Sequence, residues 1–265
     1  MLVLLPPSEG KAEGKRGRPL DLGSLSLPGL AGARERVLDE LVELCSGDAG
    51  KARRVLGLSE GQRDEVAKNA ALRTAPALPA AELYTGVLYD ALGLGSLSTA
   101  AKRRATGSLL VFSGLWGAVG VRDRLPSYRC SGTVRLPGAG ALGAYWRAPL
   151  EAELPVAAGG GPLLDLRSTP YAAMWKPTGE LAERTVTIRV LHSTTVNGVE
   201  KRSVVSHFNK ATKGRIVRGL LEAGGTPRTP AALVDAVRAL GYRVEGEPPS
   251  RAGKPWPLDV VVTAL

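Results

Sequence analysis

Three short apolar runs, far apart in the chain, end in the same way. MLVLL at 1–5 runs into Pro6-Pro7-Ser8, SLLVF at 108–112 into Ser113-Gly114, and LLDL at 163–166 into Arg167-Ser168-Thr169-Pro170. Runs of four or five apolar residues have the length of buried strands, and strands buried on both faces belong to sheets with parallel neighbours. In such sheets ligands gather outside the carboxyl ends of the strands, where loops and helix N-termini converge. Three strand ends that each carry a small polar residue therefore point to one shared site.

The stretches around these runs carry helical spacing. Residues 31–45 place Val37, Leu38, Leu41, Val42 and Cys45 on one face, and residues 80–92 (AAELYTGVLYDAL) read as a single amphipathic helix. Ser59 with Gln62 makes a capping box that starts another helix. Ser168 is placed to be the N-cap of a helix with proline in its first turn. Further on, Val186, Ile188 and Val190 alternate with polar residues, and Asn197-Gly198 is a hairpin turn signal that adds an antiparallel element. A helix from about 207 to 223, the turn GGTPRTP, a helix from Pro230 to Leu240 between Thr229 and Gly241, and the closing strand LDVVVTAL complete the chain. The glycines at 159–161 read as a turn. The expectation is a mixed α/β fold: a single compact domain over 1–265, with a mixed sheet surrounded by helices.

The opening run is too short for a membrane span, which needs about 20 apolar residues. It also lacks the basic leader and small-residue cleavage site of a secretory signal. Two cysteines, Cys45 and Cys130, build neither a metal knuckle nor a disulfide framework, so a reducing cytoplasm is the expected home. A net charge of +10 favours polyanionic partners, although an arginine-rich, Ala/Gly/Leu-rich composition also reflects GC-rich coding.

Gly10-Lys11 invites a phosphate-loop reading, which fails. The position five residues before Gly10 is Leu5 and the residue after Lys11 is Ala12, where the motif needs glycine and then Ser or Thr. What remains is Ser8, Glu9 and Lys11 lining a pocket at a strand end, or a merely solvated loop. In HFNKATKGRIVRGLL, Lys210 and Lys213 sit in early turns of a helix, where the macrodipole disfavours cations. Lys213 also falls within the arc of Ile216, Val217 and Leu220. A cation placed against both rules implies an anionic partner, a carboxylate such as Asp165 or a phosphate; otherwise it is a lysine stem covering apolar surface.

Lys201, Arg202, Lys210, Lys213, Arg215 and Arg218 make this region the basic one, suited to duplex phosphates. The pair of helices at about 207–241 loosely resembles a helix-hairpin-helix element, with Gly224-Gly225 as its turn. Tyr84, Tyr128, Arg129, Asp165 and Tyr171 could complete a polar cleft. His192 and His207 lack metal-ligand spacing, and Ser113 lacks the flanking glycine of a nucleophile elbow, so neither a metal nor a cofactor is implied.

Taken in order, LLPPSEGK at the start, LYTGVLYDAL at 83–92, FSGLWGAVGVRDRLPSYRCSG at 112–132, AYW at 144–146, LLDLRSTPY at 163–171 and SHFNKATKGRIVRGLL at 206–221 resemble the motifs of the YaaA family. The resemblance implies a cytoplasmic bacterial protein of hydrogen peroxide resistance that limits unincorporated iron. It also implies a positively charged cleft, a helix-hairpin-helix-like element and DNA binding. Carried over, it marks Ser8, Glu9, Lys11, Tyr84-Thr85-Gly86, Ser113-Gly114, Tyr128-Arg129 and Lys210 with Lys213 as the cleft. The opening loop departs from an SPAKT-like version in other members, and Glu9 has no counterpart there. Ser168, Asp165 and Tyr171 join the cleft from the third strand end.

Two functions follow. One is a monomeric stress protein gripping duplex DNA without reading its sequence, with no membrane partner. The other is an enzyme acting on a nucleotide, nucleoside or nucleobase-like molecule, with Glu9, Asp165 and Lys213 as its chemical groups.

Overall fold

The computed structural model describes residues 1–196 and 199–263. Eight strands form one sheet: β1 (Leu2–Leu5), β2 (Leu109–Ser113), β3 (Gly117–Gly120), β4 (Leu163–Asp165), β5 (Thr185–Val196), β6 (Val199–Ser203), β7 (Arg243–Glu245) and β8 (Trp256–Val262). Their order is β7-β8-β5-β4-β1-β2-β3, with β6 paired to the far half of β5. The three runs that opened the sequence argument are adjacent and parallel. Leu4 pairs with Leu110 on one side and Asp165 on the other, so their carboxyl ends share one edge. The sheet is mixed because β3, β6 and β7 run antiparallel to their neighbours.

β1 is buried along its whole length, which explains its uninterrupted LVLL. Helices flank the sheet: α1 (Ala31–Ser46), α2 (Asp64–Ala70), α3 (Ala80–Leu83), α4 (Val87–Leu92), α5 (Thr99–Ser108), α6 (Arg147–Ala158), α7 (Thr169–Ala172), α8 (Ser206–Ala223) and α9 (Pro230–Ala239). Trp116, Trp146 and Trp175 fill the core with the aliphatic residues of the strands. Arg34, wholly buried, donates to the carbonyls of Ser26, Leu27, Trp116 and Ala118. Among the described residues no helix is long and apolar enough to cross a membrane.

Most local expectations hold. The Ser59–Gln62 capping box is present, and it opens a short 3-10 turn ahead of α2. The Thr229 side chain caps α9, and Gly224 closes α8 in the left-handed region. Ser168 occupies the N-cap position of α7 through its backbone, its carbonyl accepting the amides of Tyr171 and Ala172, while its side chain makes no capping bond. The β5–β6 pairing is antiparallel as expected; the Asn197-Gly198 turn itself lies outside the described residues.

One expectation fails. Residues 80–92 are two helices, α3 and α4, broken at Tyr84-Thr85-Gly86. The opening loop causes the break: Ala12 donates its amide to the Leu83 carbonyl at 2.8 Å, and Lys11 forms a β-bridge with Tyr84. Gly86 then turns the chain at φ 93°, a conformation that a side chain would strain.

Candidate functional site

A cavity of about 500 Å³ opens at the shared strand edge. One wall is the opening loop from Pro6 to Gly10, the second is the α3–α4 break with Thr85 and Gly86, the third is the β4 end with Leu166, Ser168 and Tyr171, and the fourth is α8. Ser206, Asn209, Lys210 and Lys213 are the α8 contributors, spaced i, i+3, i+4 and i+7, so one helix face lines the hollow. The core stripe of Ile216, Val217 and Leu220 continues the same side of the helix beyond Lys213. At Gly214 the helix approaches α4 so closely that a Cβ would overlap the Leu88 carbonyl. Glycine there seats α8, and its lysines, against the cavity.

The opening loop is held on all sides. Ser8 donates its hydroxyl to the Gly10 carbonyl at 2.6 Å and accepts the Thr85 amide at 3.2 Å. Tyr89 donates to the Pro6 carbonyl. Arg129 clamps Glu9 twice, through the carboxylate at 2.6 Å and through the carbonyl at 3.0 Å. Arg129 is itself fixed by the buried Asn69, which exchanges two hydrogen bonds with its backbone. The one carboxylate lining the cavity is thus neutralised by a neighbour.

Below the loop lies a more buried layer. Lys11 donates to the Ser8 carbonyl at 2.8 Å and stands 4.3 Å from the centre of the Tyr128 ring, with no carboxylate in ion-pair contact among the described residues. Burial pulls its amine down to about 8, an effect that nearby Glu9 opposes. The hydroxyls of Tyr84, Tyr128 and Ser113 form a chain with spacings of 2.9 and 2.6 Å, and Ser113 also accepts the amides of Leu115 and Trp116. Burial raises both tyrosines well above the usual range. A narrow second pocket touches Lys11, Tyr128 and Arg129 and shares Ser8, Glu9 and Tyr171 with the main cavity. Ser113 and Gly114 lie beneath it: Ser113 is fully buried, and Gly114 presses against the backbone of Ser131 and accepts the indole N–H of Trp146.

Asp165 has a different partner from the one the helix argument suggested. Arg167 grips its carboxylate at 2.9 and 2.6 Å. The pair is buried, with side chains 10% and 1% exposed, and the guanidinium lies 4.3 Å from the Phe112 ring centre. Lys213 instead donates to the Leu166 carbonyl at 3.2 Å. Burial lowers the Lys213 amine, and the charge of Asp165 partly opposes this. The lysine keeps N–H groups to spare for a ligand.

The six basic residues from 201 to 218 are not equivalent. Lys210 and Lys213 line the cavity. Arg218 is spent on the carbonyls of Leu92 and Gly93 and on Ser96, closing the C-terminus of α4. Arg202 is locked between Glu200 and Glu245. Lys201 and Arg215 are exposed and make no ion pair among the described residues.

Sequence reasoning missed Ser206 and Asn209, although helical spacing back from Lys213 marks both. It passed over Arg167, and nothing local signals Asn69. Asn209 has a further property: its carboxamide oxygen is buried without a hydrogen-bond partner among the described residues.

A family model described as peroxide stress protein YaaA matches residues 1–247. Among curated relatives, a UPF0246 protein of Streptomyces coelicolor is 68% identical over 262 residues, 99% of this chain and 98% of the relative. A UPF0246 protein of Corynebacterium efficiens is 41% identical over 92% of this chain and 95% of its own length. An uncharacterized protein of Campylobacter jejuni is 26% identical over 81% of this chain and 82% of its own.

Proposed function

Because the chain belongs to the YaaA family of peroxide stress proteins, we propose that it serves in peroxide stress, in the cytoplasm, by binding duplex DNA through its phosphates without reading sequence. The observation that carries this reading is the placement of Lys210 and Lys213 on one helix face at a cavity whose only lining carboxylate among the described residues, Glu9, is already paired with Arg129. Two cations with free N–H groups and no competing anion suit a phosphate. Lys201 on β6 and Arg215 on α8 add exposed charge, while Arg202 and Arg218 contribute through structure alone.

Neither thiol is poised for direct reaction with peroxide. Burial pushes Cys45 up to about 11 and Cys130 up to about 12, so both stay protonated at neutral pH and react slowly with peroxide. Among the described residues no three His, Cys, Asp or Glu side chains converge as a metal site.

Fluorescence anisotropy with a labelled duplex tests the reading. The unmodified protein binds with an affinity that falls steeply as salt rises, and Lys210→Glu with Lys213→Met weakens binding about tenfold, or about 1.4 kcal/mol. Absence of salt-dependent binding by the unmodified protein refutes it.

A second reading has its own observation. The cavity is lined by the apolar Pro6, Pro7, Val87 and Leu88 and by Asn209, whose carboxamide oxygen is buried without a hydrogen-bond partner among the described residues. Such a hollow suits a nucleotide-like small molecule with an anionic end for the lysines and an N–H or O–H donor for Asn209. A thermal-shift screen of mononucleotides and nucleobases decides it: stabilisation that Asn209→Ala abolishes supports a small-molecule site, and no stabilisation by any of them removes it.

A further inference from the structure

A separate hollow of about 570 Å³, sharing no lining residue with the strand-end cavity, lies between α5 and the loop that follows β3. We infer that this hollow is a second contact surface for the phosphate backbone of DNA, built on Lys102, Arg103, Arg122 and Arg124. The inference rests on the DNA-binding reading above and names a surface that reading does not use.

Its charge is one-sided. Several arginines elsewhere meet carboxylates, as Arg53 does with Glu60, Arg129 with Glu9, and Arg189 with Asp259. Lys102, Arg103 and Arg122 are exposed and make no ion pair or side-chain hydrogen bond among the described residues, and Arg124 donates only to the Ala77 carbonyl. Glu82 is the single acid lining the hollow and is in ion-pair contact with none of the four. The floor is apolar, with Leu94, Ala105 and Val121 each less than 10% exposed. Cations of one sign around a low-dielectric floor focus their field outward and raise the local concentration of a polyanion.

The spacing is fixed by rigid elements. Lys102 and Arg103 project from successive positions of α5, whose N-terminus is capped by Ser98. Arg122 and Arg124 are set by the turn in which Asp123 accepts the Gly120 amide and the Ser26 amide and hydroxyl. An acidic peptide has less to hold here. The wall strand Arg124–Leu125 is already paired with Leu78–Pro79, which leaves no free edge on that side for β-addition. A duplex, with a charge every 1.7 Å or so along its axis, needs only the cations.

The test is anisotropy with a labelled 20-base-pair duplex at several salt concentrations, comparing the unmodified protein, Lys102→Glu/Arg103→Glu/Arg122→Glu, and the charge-matched Lys51→Glu/Arg54→Glu/Lys254→Glu. The control residues line neither hollow. Circular dichroism melts check that all three proteins are folded; the substituted side chains are exposed and make no ion pair that the change would break. The hollow variant is expected to bind at least tenfold more weakly, with a salt slope shallower by about two to three, near 0.9 for each phosphate no longer neutralised, whereas the control changes less than threefold. Equal losses in both variants overturn the inference, because net charge alone then accounts for them; so does full binding by the hollow variant. If polyglutamate of matched charge displaces the duplex as well as unlabelled duplex does, the surface is not specific to nucleic acid and the inference also falls. Failure of the unmodified protein to bind any duplex instead strikes the DNA reading itself, and this surface with it.

Discussion

Arg167→Ala should destabilise the protein by about 3–5 kcal/mol, the cost of leaving a buried carboxylate without its partner. For a chain of this size that lowers the melting temperature by roughly 10 °C. Asp165 has no comparable alternative: it is 10% exposed, and its hydrogen bonds come from the side chain and backbone of Arg167. The substitution also empties the space over the Phe112 ring and removes a donor to the Tyr171 carbonyl. Thermal and urea denaturation of the single variant, and of Asp165→Leu/Arg167→Met, separate an ion-pair effect from packing. The double variant, which removes both charges while keeping volume, should recover most of the loss. A single variant within 1 kcal/mol of the unmodified protein contradicts the assignment. The same pair shapes the turn whose Leu166 carbonyl receives Lys213, so its loss should also weaken ligand binding at the cavity.

The second large effect is a dependence on pH. The Lys11 amine has a folded value near 8 because it is buried, against about 10.4 for an exposed lysine in the unfolded chain. Between those values the unfolded state holds the proton and the folded state does not, so stability rises with pH through that window. From pH 7 to 9.5 the gain from this one group is about 2 kcal/mol. Lys213, lowered for the same reason, adds a gain of the same sign. The buried thiols of Cys45 and Cys130, raised to about 11 and about 12, act oppositely in the same window, because the unfolded thiols ionise there; the buried tyrosines do so only near and above pH 10. Urea denaturation at pH 7 and 9.5 should therefore show the stability difference between the unmodified protein and Lys11→Met moving by about 2 kcal/mol in favour of the unmodified protein as pH rises, the thiol contributions cancelling between the two and the variant keeping the stem's packing over Tyr128. Parallel curves for the two proteins would mean that the amine is solvated and that the layer beneath the opening loop is not dry.

The strand grammar is readable because it is local: a buried parallel strand needs an apolar run, and its end needs a polar turn. The capping box at Ser59 and the stop at Gly224 are legible for the same reason. What the chain does across long separations is not. The break at Tyr84–Gly86 is imposed by a loop some 70 positions earlier, and the local pattern of 80–92 is a sound helix without it. Helix placement calls for an anionic partner at Lys213, and Asp165 is the nearest suggestion. Arg167, two residues away and with planar bidentate geometry, takes that carboxylate first, which spacing alone does not reveal. The basic stretch from 201 to 218 reads as one surface because charge is visible in sequence and hydrogen-bond commitment is not. Arg218 and Arg202 are structural cations. Helical periodicity, pursued one turn back from Lys210 and from Lys213, adds Ser206 and Asn209 to the cavity wall.

The position of β1 has a consequence for how this chain reaches its native state. Its partners, β2 and β4, begin more than 100 residues later. β1 therefore waits for its first partner until residues beyond 113 have been made and for its second until residues beyond 165, and loop closures of that span slow the search. During that interval LVLL is an unprotected β-prone stretch, the kind of segment that chaperones cover. The two prolines that follow cannot donate to a ladder, which confines a wayward pairing to those few residues. Pulse-labelled hydrogen exchange during refolding should find the amides of Val3 and Leu4 among the last to gain protection, after those of α1 and α8.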